Sequence, residues 1–497
     1  MHLCYLSIWA VLSLADSFQP GFAARDNETN LASLLLSQAW SPDTILSFPG
    51  STEFSNATYR WNIRDAPTYA AALSVGLEED AIRAVKLVTA HNISFLATGG
   101  RHGFGATLGR LQDGLAIDLS PLDFVTIDSS RDTLTVGPGV RLRDIFDPVY
   151  EAGYQMQTGI CTCVGMIGAT IGAGIGRLQG THGLMIDALL SVKLVTARGK
   201  LIEISKDSHP DLFWGVRGAA HNFGIITEAT YQLQPLGHDF VSVDMRFPAA
   251  LNGSFFEALA GFELGSEWAI AARIVYDGDA GEPAIVANAA YHGPRTKDEV
   301  IAQLHPFLDL TPPVLNISVV PWNRINSVAS FGSDAGVCTP GKDSTTYPVS
   351  LRTRTASAWI EVFKLMSGLY EMIPEARGSG VLFEAWANEA VRGVLDSETA
   401  YPWRETETYV VPRIETTPNA SSSARAKSQE VGRQIRDTLF ASSGYPGGAV
   451  YVNYALGDET LEQIYGAEKL PRLAKLKKTY DPNNVFGFHH PIPTAYP

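Results

Sequence analysis

The amino-acid sequence predicts an α+β fold of two domains, and three features indicate it. Residues 62–237 alternate short segments of helical and strand-like apolar periodicity. Two stretches of this part, 98–109 and 159–180, are dense in glycine, and the glycine-rich character ends near Leu236. Residues 238–440 alternate strand-like and longer helical runs, which predicts a sheet backed by helices. At 497 residues the chain is also too long for one ordinary core.

The elements of the first part follow from the spacing of their apolar residues. Helical spacing predicts a helix over 78–92 and a second one over 141–153, which ends where glycine is favoured. Short apolar runs bounded by turn residues predict strands within 93–100, 114–120 and 133–139, and a hairpin over 188–205.

The second part and the tail are interpreted in the same way. A strand is predicted over 269–276 and a helix over 356–373. In the tail, 450–454 predicts a strand, which places Tyr451 and Asn453 on one face and Tyr454 on the other. An amphipathic helix and an Asp-Pro turn follow.

Composition and charge exclude some partners. The formal net charge of -14 argues against nucleic acid as the main partner, because phosphate binding needs a basic surface. Beyond the N-terminal residues, no apolar segment is long enough to anchor the chain in a membrane. We expect a monomer that acts on a small-molecule substrate.

The N-terminal residues indicate a secretory route. The apolar run 3–14 and the small residues after it predict a signal peptide over 1–23, cleaved between 15 and 24; the alternative is a buried N-terminal helix. Six Asn-x-Ser/Thr sequons agree with a secreted glycoprotein, at Asn27, Asn56, Asn92, Asn252, Asn316 and Asn419.

Cysteine usage leaves one thiol without a partner. Beyond Cys4 in the predicted signal peptide, the chain has Cys161, Cys163 and Cys338. Three cysteines in a secreted chain leave at least one outside any disulfide, and this thiol needs a chemical role or a buried position.

The two glycine-rich loops are suited to holding a pyrophosphate. Glycines let backbone N–H groups approach an anion without a Cβ in the way. The Walker A pattern is absent, and Arg177 stands where a dinucleotide fingerprint needs its third glycine. The alternative is two ordinary tight turns.

Several sequence blocks, in the right order, resemble the berberine-bridge-enzyme-like FAD-linked oxidoreductases of the vanillyl-alcohol-oxidase superfamily. They cover most of the chain from about Asn62 onward. The blocks are GGRHG (99–103), GICTCVGMIGATIGAGIG (159–176), HPDLFWGVRGAAHNFGIIT (209–227), YVNY (451–454) and YDPNNVF (480–486). The resemblance implies a PCMH-type FAD-binding domain at 62–237, an antiparallel substrate domain at 238–440, and a segment 441–497 that returns to the FAD domain.

The resemblance also implies how FAD is held. The loop histidine, His102, is joined to the flavin 8α-methyl, and the loop cysteine, Cys161, adds a second link at flavin C6 in many members. Imidazole and thiolate are suitable nucleophiles for both links. The other implied FAD-binding residues are Thr98, Gly99, Gly100, Arg101, Gly103, Val164, Gly165, Gly168, Ala169, Gly172, Gly174, Ile226 and Asn484.

Three positions depart from the pattern or stay ambiguous. Arg101 stands where a second glycine is usual, and it either adds charge to the phosphate site or points to solvent. Thr162 replaces a common proline. Cys163 is interpreted as a small buried apolar residue, with competition for the role of Cys161 as the alternative.

The resemblance implies oxidation of a small organic molecule, a specialised metabolite or a carbohydrate, by hydride transfer to flavin N5. Val164, three residues after the loop cysteine, implies that O2 is the acceptor. Tyr451 or Tyr454 is the candidate base, with a packing role as the alternative, and no carboxylate of the second domain stands out.

Two other functions stay open at this point. The first is a flavoprotein cyclase that forms rings with or without net oxidation. The second is a secreted glycan-binding module whose glycine loops are only turns. Release of peroxide distinguishes an oxidase from a redox-neutral cyclase, and absence of flavin would favour the binding module.

Overall fold

The computed structural model describes residues 27–497, with side chains from Leu31 onward. The predicted signal peptide over 1–23 and the sequon at Asn27 therefore lie outside the described side chains. The helices of the described part are α1 (Asn27–Leu36), α2 (Thr52–Thr58), α3 (Glu78–Ala90), α4 (Leu142–Glu151), α5 (Met166–Gly172), α6 (Gln179–His182), α7 (Pro210–Ala219), α8 (Asn252–Gly261), α9 (Lys297–Gln303), α10 (His305–Leu308), α11 (Ile325–Gly332), α12 (Asp334–Val337), α13 (Ala356–Met372), α14 (Glu389–Gly393), α15 (Ser422–Ala441), α16 (Leu461–Tyr465) and α17 (Leu470–Tyr480).

A four-stranded sheet carries the first glycine loop at the end of one of its strands. Its strands are β1 (Ile45–Ser47), β2 (Tyr69–Ser74), β3 (Phe95–Thr98) and β4 (Gly114–Asp118), in the order β1–β2–β4–β3. β2, β4 and β3 are parallel, so a crossover is needed, and α3 supplies it. The predicted helix over 78–92 and the strands within 93–100 and 114–120 are confirmed.

A five-stranded antiparallel sheet follows. The next strands along the chain are β5 (Val125–Asp128), β6 (Thr133–Val136), β7 (Tyr154–Gln155), β8 (Leu189–Thr196), β9 (Leu201–Ser205), β10 (Gly224–Gln232) and β11 (Gln234–Pro235). The sheet order is β5–β6–β10–β8–β9, and β7 pairs with β11 separately. The predicted hairpin is confirmed as β8–β9, and Gly199 takes a left-handed φ of 64° at its turn.

The largest sheet has eight antiparallel strands, as the second part of the sequence predicts. They are β12 (Phe240–Pro248), β13 (Trp268–Asp277), β14 (Glu282–His292), β15 (Val314–Val320), β16 (Ser344–Thr346), β17 (Val349–Leu351), β18 (Gly380–Trp386) and β19 (Thr408–Glu415). The described chain is thus an α+β fold. The domain boundaries at 237/238 and 440/441 stay a prediction.

The two faces of the large sheet serve different purposes, because successive side chains of a strand point to opposite sides. On β18, Val381, Phe383 and Ala385 pack into an apolar core that also contains residues of α8, α13 and α15. The alternating residues, Leu382 and Glu384, line a cavity on the opposite face. This alternation places a carboxylate where the two parts of the chain meet.

The predicted strand over 450–454 is wrong. This segment is a turn in which the Tyr454 and Ala455 amides both donate to the Tyr451 carbonyl, at 2.9 and 3.1 Å. A turn brings residues three apart to one side, whereas a strand would separate them. The rings of Tyr451 and Tyr454 therefore lie with their centroids 4.9 Å apart and edge to face.

Candidate active site

The site is a cavity of ≈ 710 Å³ between the glycine loops and the large sheet. Its volume lies in the upper part of the range of ligand pockets, which is about 300–1,000 Å³. Every predicted site residue lines the cavity except Gly172 and Asn484. Gly172 packs against Asn453 instead, because a Cβ there would lie 2.2 Å from Asn453 Oδ1. Asn484 lies in the turn after α17, where its amide donates to the Asp481 carbonyl at 3.1 Å.

The glycines of the two loops mainly let the loops pack against their neighbours. A Cβ on Gly99 would lie 2.1 Å from the Pro138 carbonyl oxygen, and one on Gly100 would lie 2.4 Å from the Gly165 nitrogen. Gly168 differs, because a Cβ there would meet nothing within 4 Å. The first and second loops are thus in direct backbone contact, and both open onto the same cavity.

His102 is a neutral imidazole held between an indole and a sulfur atom. Its ring stacks on Trp61 with the centroids 4.8 Å apart. Its Nε2 lies 3.2 Å from the Sγ of Cys163. Burial, with added repulsion from Arg141 and Arg60, lowers the pKa of His102 to about 4. The ring therefore keeps a nitrogen lone pair at neutral pH, as a nucleophile requires.

Two of the three described cysteines are paired, and the third is free. Cys163 is buried, as interpreted, but it forms a disulfide with Cys338, so the alternative in which its thiol competes for the role of Cys161 is wrong. The two cysteines are 175 residues apart in sequence, and α12 brings Cys338 to the loop. Cys161 is the free cysteine of the described residues and lines the cavity. Burial raises the pKa of its thiol to about 12, and Arg273 opposes this shift.

The expectation that Arg101 points to solvent is wrong, because its side chain is buried in an ion pair. The guanidinium forms an ion pair with Asp118 at 2.9 Å, and both side chains are at most 5% exposed. It also donates to the Ala57 carbonyl at 2.7 Å and lies over the Tyr59 ring. Its backbone takes a left-handed φ of 57°. Arg101 therefore supports the path of the first loop at the edge of the cavity.

A tyrosine and a carboxylate form the pair in the cavity best suited to proton transfer. The Tyr454 hydroxyl donates to Glu384 Oε2 at 2.8 Å. Glu384 is only 1% exposed. Burial raises its pKa to about 7, although the Tyr454 hydroxyl, Arg273 and Arg177 oppose the shift. Burial and the adjacent carboxylate raise the pKa of Tyr454 well above its ordinary value. Its phenol therefore does not ionise unless another group accepts the proton.

Tyr451 has a different environment. Its hydroxyl oxygen accepts hydrogen bonds from the Gly174 amide at 3.1 Å and from Asn453 Nδ2 at 2.9 Å. Burial raises the pKa of this phenol to about 12. No carboxylate or imidazole of the described residues hydrogen-bonds to it. Tyr451 therefore ties the tail to the second glycine loop, and Tyr454 is the better candidate for proton transfer.

Glu384 is a candidate functional residue that the sequence analysis did not single out. The available signal was a lone acidic residue within the strand-like run VLFEAW, residues 381–386, since a charge inside an apolar strand needs a reason.

The described residues lack two other kinds of feature. From residue 27 onward no helix has the length and apolarity that a membrane crossing requires. Within the same range, no three His, Cys, Asp or Glu side chains are grouped in a way suited to a metal ion.

Comparison with known proteins assigns the family. The family described as "FAD binding domain" matches residues 69–205, and the family described as "Berberine and berberine like" matches residues 450–493. FAD-linked oxidoreductase OXR1 of Pyricularia oryzae is 46% identical over 475 residues, which cover 94% of this chain and 93% of that protein. FAD-linked oxidoreductase srdI of Neurospora crassa is 46% identical over 457 residues, with 92% and 91% covered.

Solved structures support the fold. The wild-type BBE-like 1 protein of Physcomitrella patens superposes with a TM-score of 0.81 at 20% identity, covering 94% of this chain and 100% of that one. The glucooligosaccharide oxidase of Acremonium strictum gives a TM-score of 0.79 at 20% identity, with 94% and 98% covered.

The residues of the cavity fit a flavin. The loops leave Gly168 open, the imidazole of His102 is neutral, and the Cys161 thiol lines the same space. These observations and the comparisons exclude the glycan-binding module as the function. The chain belongs to the berberine-bridge-enzyme-like family of FAD-linked oxidoreductases.

Proposed function

We propose that this protein is an oxidase that uses a covalently held FAD and O2 to oxidise an alcohol group of a small organic molecule. One observation carries the proposal: the Tyr454–Glu384 pair lies in the same cavity as His102 and Cys161. The bound flavin supplies the two-electron acceptor that no side chain provides. The chain itself must hold the cofactor, orient the alcohol and remove its hydroxyl proton.

His102 and Cys161 are the residues proposed to hold the isoalloxazine, and the two glycine loops are proposed to hold the pyrophosphate. His102 fits a covalent link because its pKa of about 4 keeps the ring neutral. Cys161 needs help to become a thiolate, since burial raises its pKa to about 12. We therefore expect attachment at His102 first and a link at Cys161 second.

Tyr454 and Glu384 are proposed to remove the proton together. The substrate hydroxyl passes its proton to the Tyr454 oxygen, while the Tyr454 hydroxyl proton moves over 2.8 Å to Glu384. The high pKa of Tyr454 does not prevent this transfer, because the phenol gives its own proton to Glu384 while it accepts the proton of the substrate. Arg273 and Arg177 stabilise the ionised form of Glu384 before each turnover.

The lining of the cavity favours an apolar alcohol over a carbohydrate. On the side of the large sheet the space is bordered by Ile274, Leu382 and Val411, and Phe104 lies opposite with its ring stacked near Tyr454. Arg273, Arg377 and Arg413 also border the space, so a few polar groups of a substrate have partners there. We propose a specialised metabolite with a mainly apolar surface as the substrate, and peroxide release with a panel of aromatic and aliphatic alcohols, compared with oligosaccharides, tests this.

The rate is expected to rise with pH through neutrality. Glu384 must be ionised to accept a proton, and its pKa is about 7. Below that pH the carboxyl is protonated, so kcat/KM should increase about tenfold per pH unit and level off above it. A steady-state pH profile checks this, and a profile that is flat between pH 5 and 8 would contradict the relay.

Val164 is proposed to leave room for O2. It is partly exposed, lines the cavity and lies in the second glycine loop, three residues after Cys161. Replacing it by leucine adds one methylene, so reoxidation of the reduced enzyme should slow by about tenfold or more. Anaerobic reduction by substrate should change little. Stopped-flow measurement of both half-reactions checks this, and equal slowing of both would rule out a specific role in oxygen access.

Secretion and N-glycosylation remain part of the proposal. The Cys163–Cys338 disulfide supports them, because disulfides persist in oxidising compartments. The sequon residues Asn56, Asn92, Asn316 and Asn419 are exposed. Mass analysis of the protein secreted by a eukaryotic host, before and after glycosidase treatment, tests both statements.

A further inference from the structure

We propose that the Cys163–Cys338 disulfide is a positioning element for flavin attachment: it orients His102 and selects which of its ring nitrogens keeps the lone pair. The inference rests on the proposed covalent FAD link. Cys163 and Cys338 are thus positioning residues, because they act on the cofactor through His102.

The sulfur of Cys163 is a hydrogen-bond acceptor beside the imidazole. Nε2 of His102 lies 3.2 Å from the Cys163 sulfur. A disulfide sulfur carries no hydrogen, so it only accepts, and the contact is favourable when Nε2 carries the ring hydrogen. The other nitrogen, Nδ1, forms no hydrogen bond with the side chains described from Leu31 onward, and Nε2 is the ring nitrogen with a partner. The bridge therefore favours the tautomer in which Nδ1 holds a free lone pair.

The bridge also fixes the orientation of the His102 ring through Trp61. Trp61, which stacks on His102, donates from its indole Nε1 to the Val337 carbonyl at 2.7 Å. Val337 is the last residue of α12 and immediately precedes Cys338. The disulfide thus holds α12 in place. The Trp61 indole, which is hydrogen-bonded to α12, covers one face of the imidazole, and Cys163 contacts its Nε2 edge.

The segment that leads to Cys338 is fixed at two points. Asp334 accepts a hydrogen bond from the Thr162 amide at 3.0 Å and another from the Thr162 hydroxyl, next to the bridge. Earlier in the segment, the Ser330 and Phe331 amides donate to Asp244 of the large sheet, at 2.7 and 3.0 Å. The disulfide is therefore the covalent part of a connection between the large sheet and the second glycine loop, which carries Cys161 and Cys163.

Without the bridge, Cys163 becomes a hydrogen-bond donor. A free Cys163 would carry an S–H group at 3.2 Å from Nε2. This S–H donates to Nε2, which moves the ring hydrogen to Nδ1 and removes the lone pair needed there. The thiol would also lie two residues from Cys161, as a second nucleophile in the same loop.

The attachment itself balances with dioxygen as the oxidant. One bond forms between Nδ1 of His102 and the 8α carbon, and one methyl hydrogen and the imidazole N–H hydrogen are given up. The two electrons pass through the ring system to dioxygen, which becomes hydrogen peroxide. The disulfide is neither oxidised nor reduced in this reaction.

Peptide mapping of purified holoenzymes, without reduction, tests the inference. The wild type should show the 163–338 linkage and flavin mass on the His102 peptide. Cys338→Ser frees the Cys163 thiol, and its His102 adduct should fall by about tenfold or more, the usual effect of losing an orienting partner. The double variant Cys163→Ala/Cys338→Ser lacks the S–H donor as well. Its His102 adduct should therefore lie between that of Cys338→Ser and that of the wild type. Ser327→Ala, an exposed position on α11, is the matched control and should equal the wild type.

Total bound FAD, covalent and dissociable, is measured in each variant to show that the cavity is intact. An equal amount of His102 adduct in all variants would overturn this inference. An equal loss of adduct in the single and the double variant would overturn it as well, and so would the loss of all bound FAD from both. A wild type without the 163–338 linkage would overturn it too. A wild type that shows the linkage but no flavin on His102 would instead contradict the proposed covalent link.

Discussion

Replacing Glu384 by glutamine is expected to lower kcat for alcohol oxidation by about 10²–10⁴-fold, the usual contribution of a positioned base. Glutamine keeps the shape of the side chain and its oxygen still accepts the Tyr454 hydrogen bond, which is 2.8 Å long in the native chain. It cannot receive a proton. The loss should therefore fall on turnover, with the bound FAD content unchanged.

The measurement is steady-state kinetics of Glu384→Gln and Tyr454→Phe at several pH values. The rise in rate through the Glu384 pKa of about 7 should disappear in Glu384→Gln. Tyr454→Phe should show a loss of similar size, because the two residues act as one unit. A Glu384→Gln enzyme that keeps the native rate and pH profile would show that the substrate proton leaves by another route.

Replacing Arg101 by alanine is expected to reduce the free energy of unfolding by about 3–5 kcal/mol, because it leaves a buried carboxylate without its partner. Arg101 and Asp118 form an ion pair at 2.9 Å with side chains at most 5% exposed. The Ala57 carbonyl and the Tyr59 ring would lose the guanidinium as well. The first glycine loop should loosen, and retention of FAD should fall with it.

Urea denaturation of the flavin-loaded protein, followed by fluorescence, checks this prediction. Lys364→Ala is the control, since Lys364 is 77% exposed and its ion pair with Glu361 is on the surface. Surface pairs contribute little, so its midpoint should stay near that of the wild type. If Arg101→Ala unfolded at the wild-type midpoint, Arg101 would not be the support of the loop.

Local sequence patterns predicted most elements of the fold. The α3 helix, the β3 and β4 strands and the β8–β9 hairpin depend on apolar spacing and turn residues within a few positions. The alternating pattern of 450–454 failed, because the hydrogen bonds of Tyr454 and Ala455 back to Tyr451 close a turn that alternation alone does not reveal. Such a turn depends on the tail's contacts with the rest of the chain.

The sequence predicted the two glycine loops of the candidate site, but it did not predict the contacts between residues that are far apart in the chain. Both glycine loops and His102 came from motifs that are contiguous in sequence. The pairing of Tyr454 with Glu384, separated by 70 residues, depends on how the tail packs on the large sheet. The Cys163–Cys338 bridge spans 175 residues, and no spacing rule connects the two cysteines.

Acid precipitation of the purified holoenzyme, followed by mass analysis of its peptides, tests the central claim most directly. The claim is that the neutral imidazole of His102 holds the FAD in the cavity beside Glu384 and Tyr454. We predict that the yellow colour stays with the precipitate and that the peptide containing His102 carries the flavin mass. Release of all flavin into the supernatant, with the peptides of His102 and Cys161 both unmodified, would contradict it.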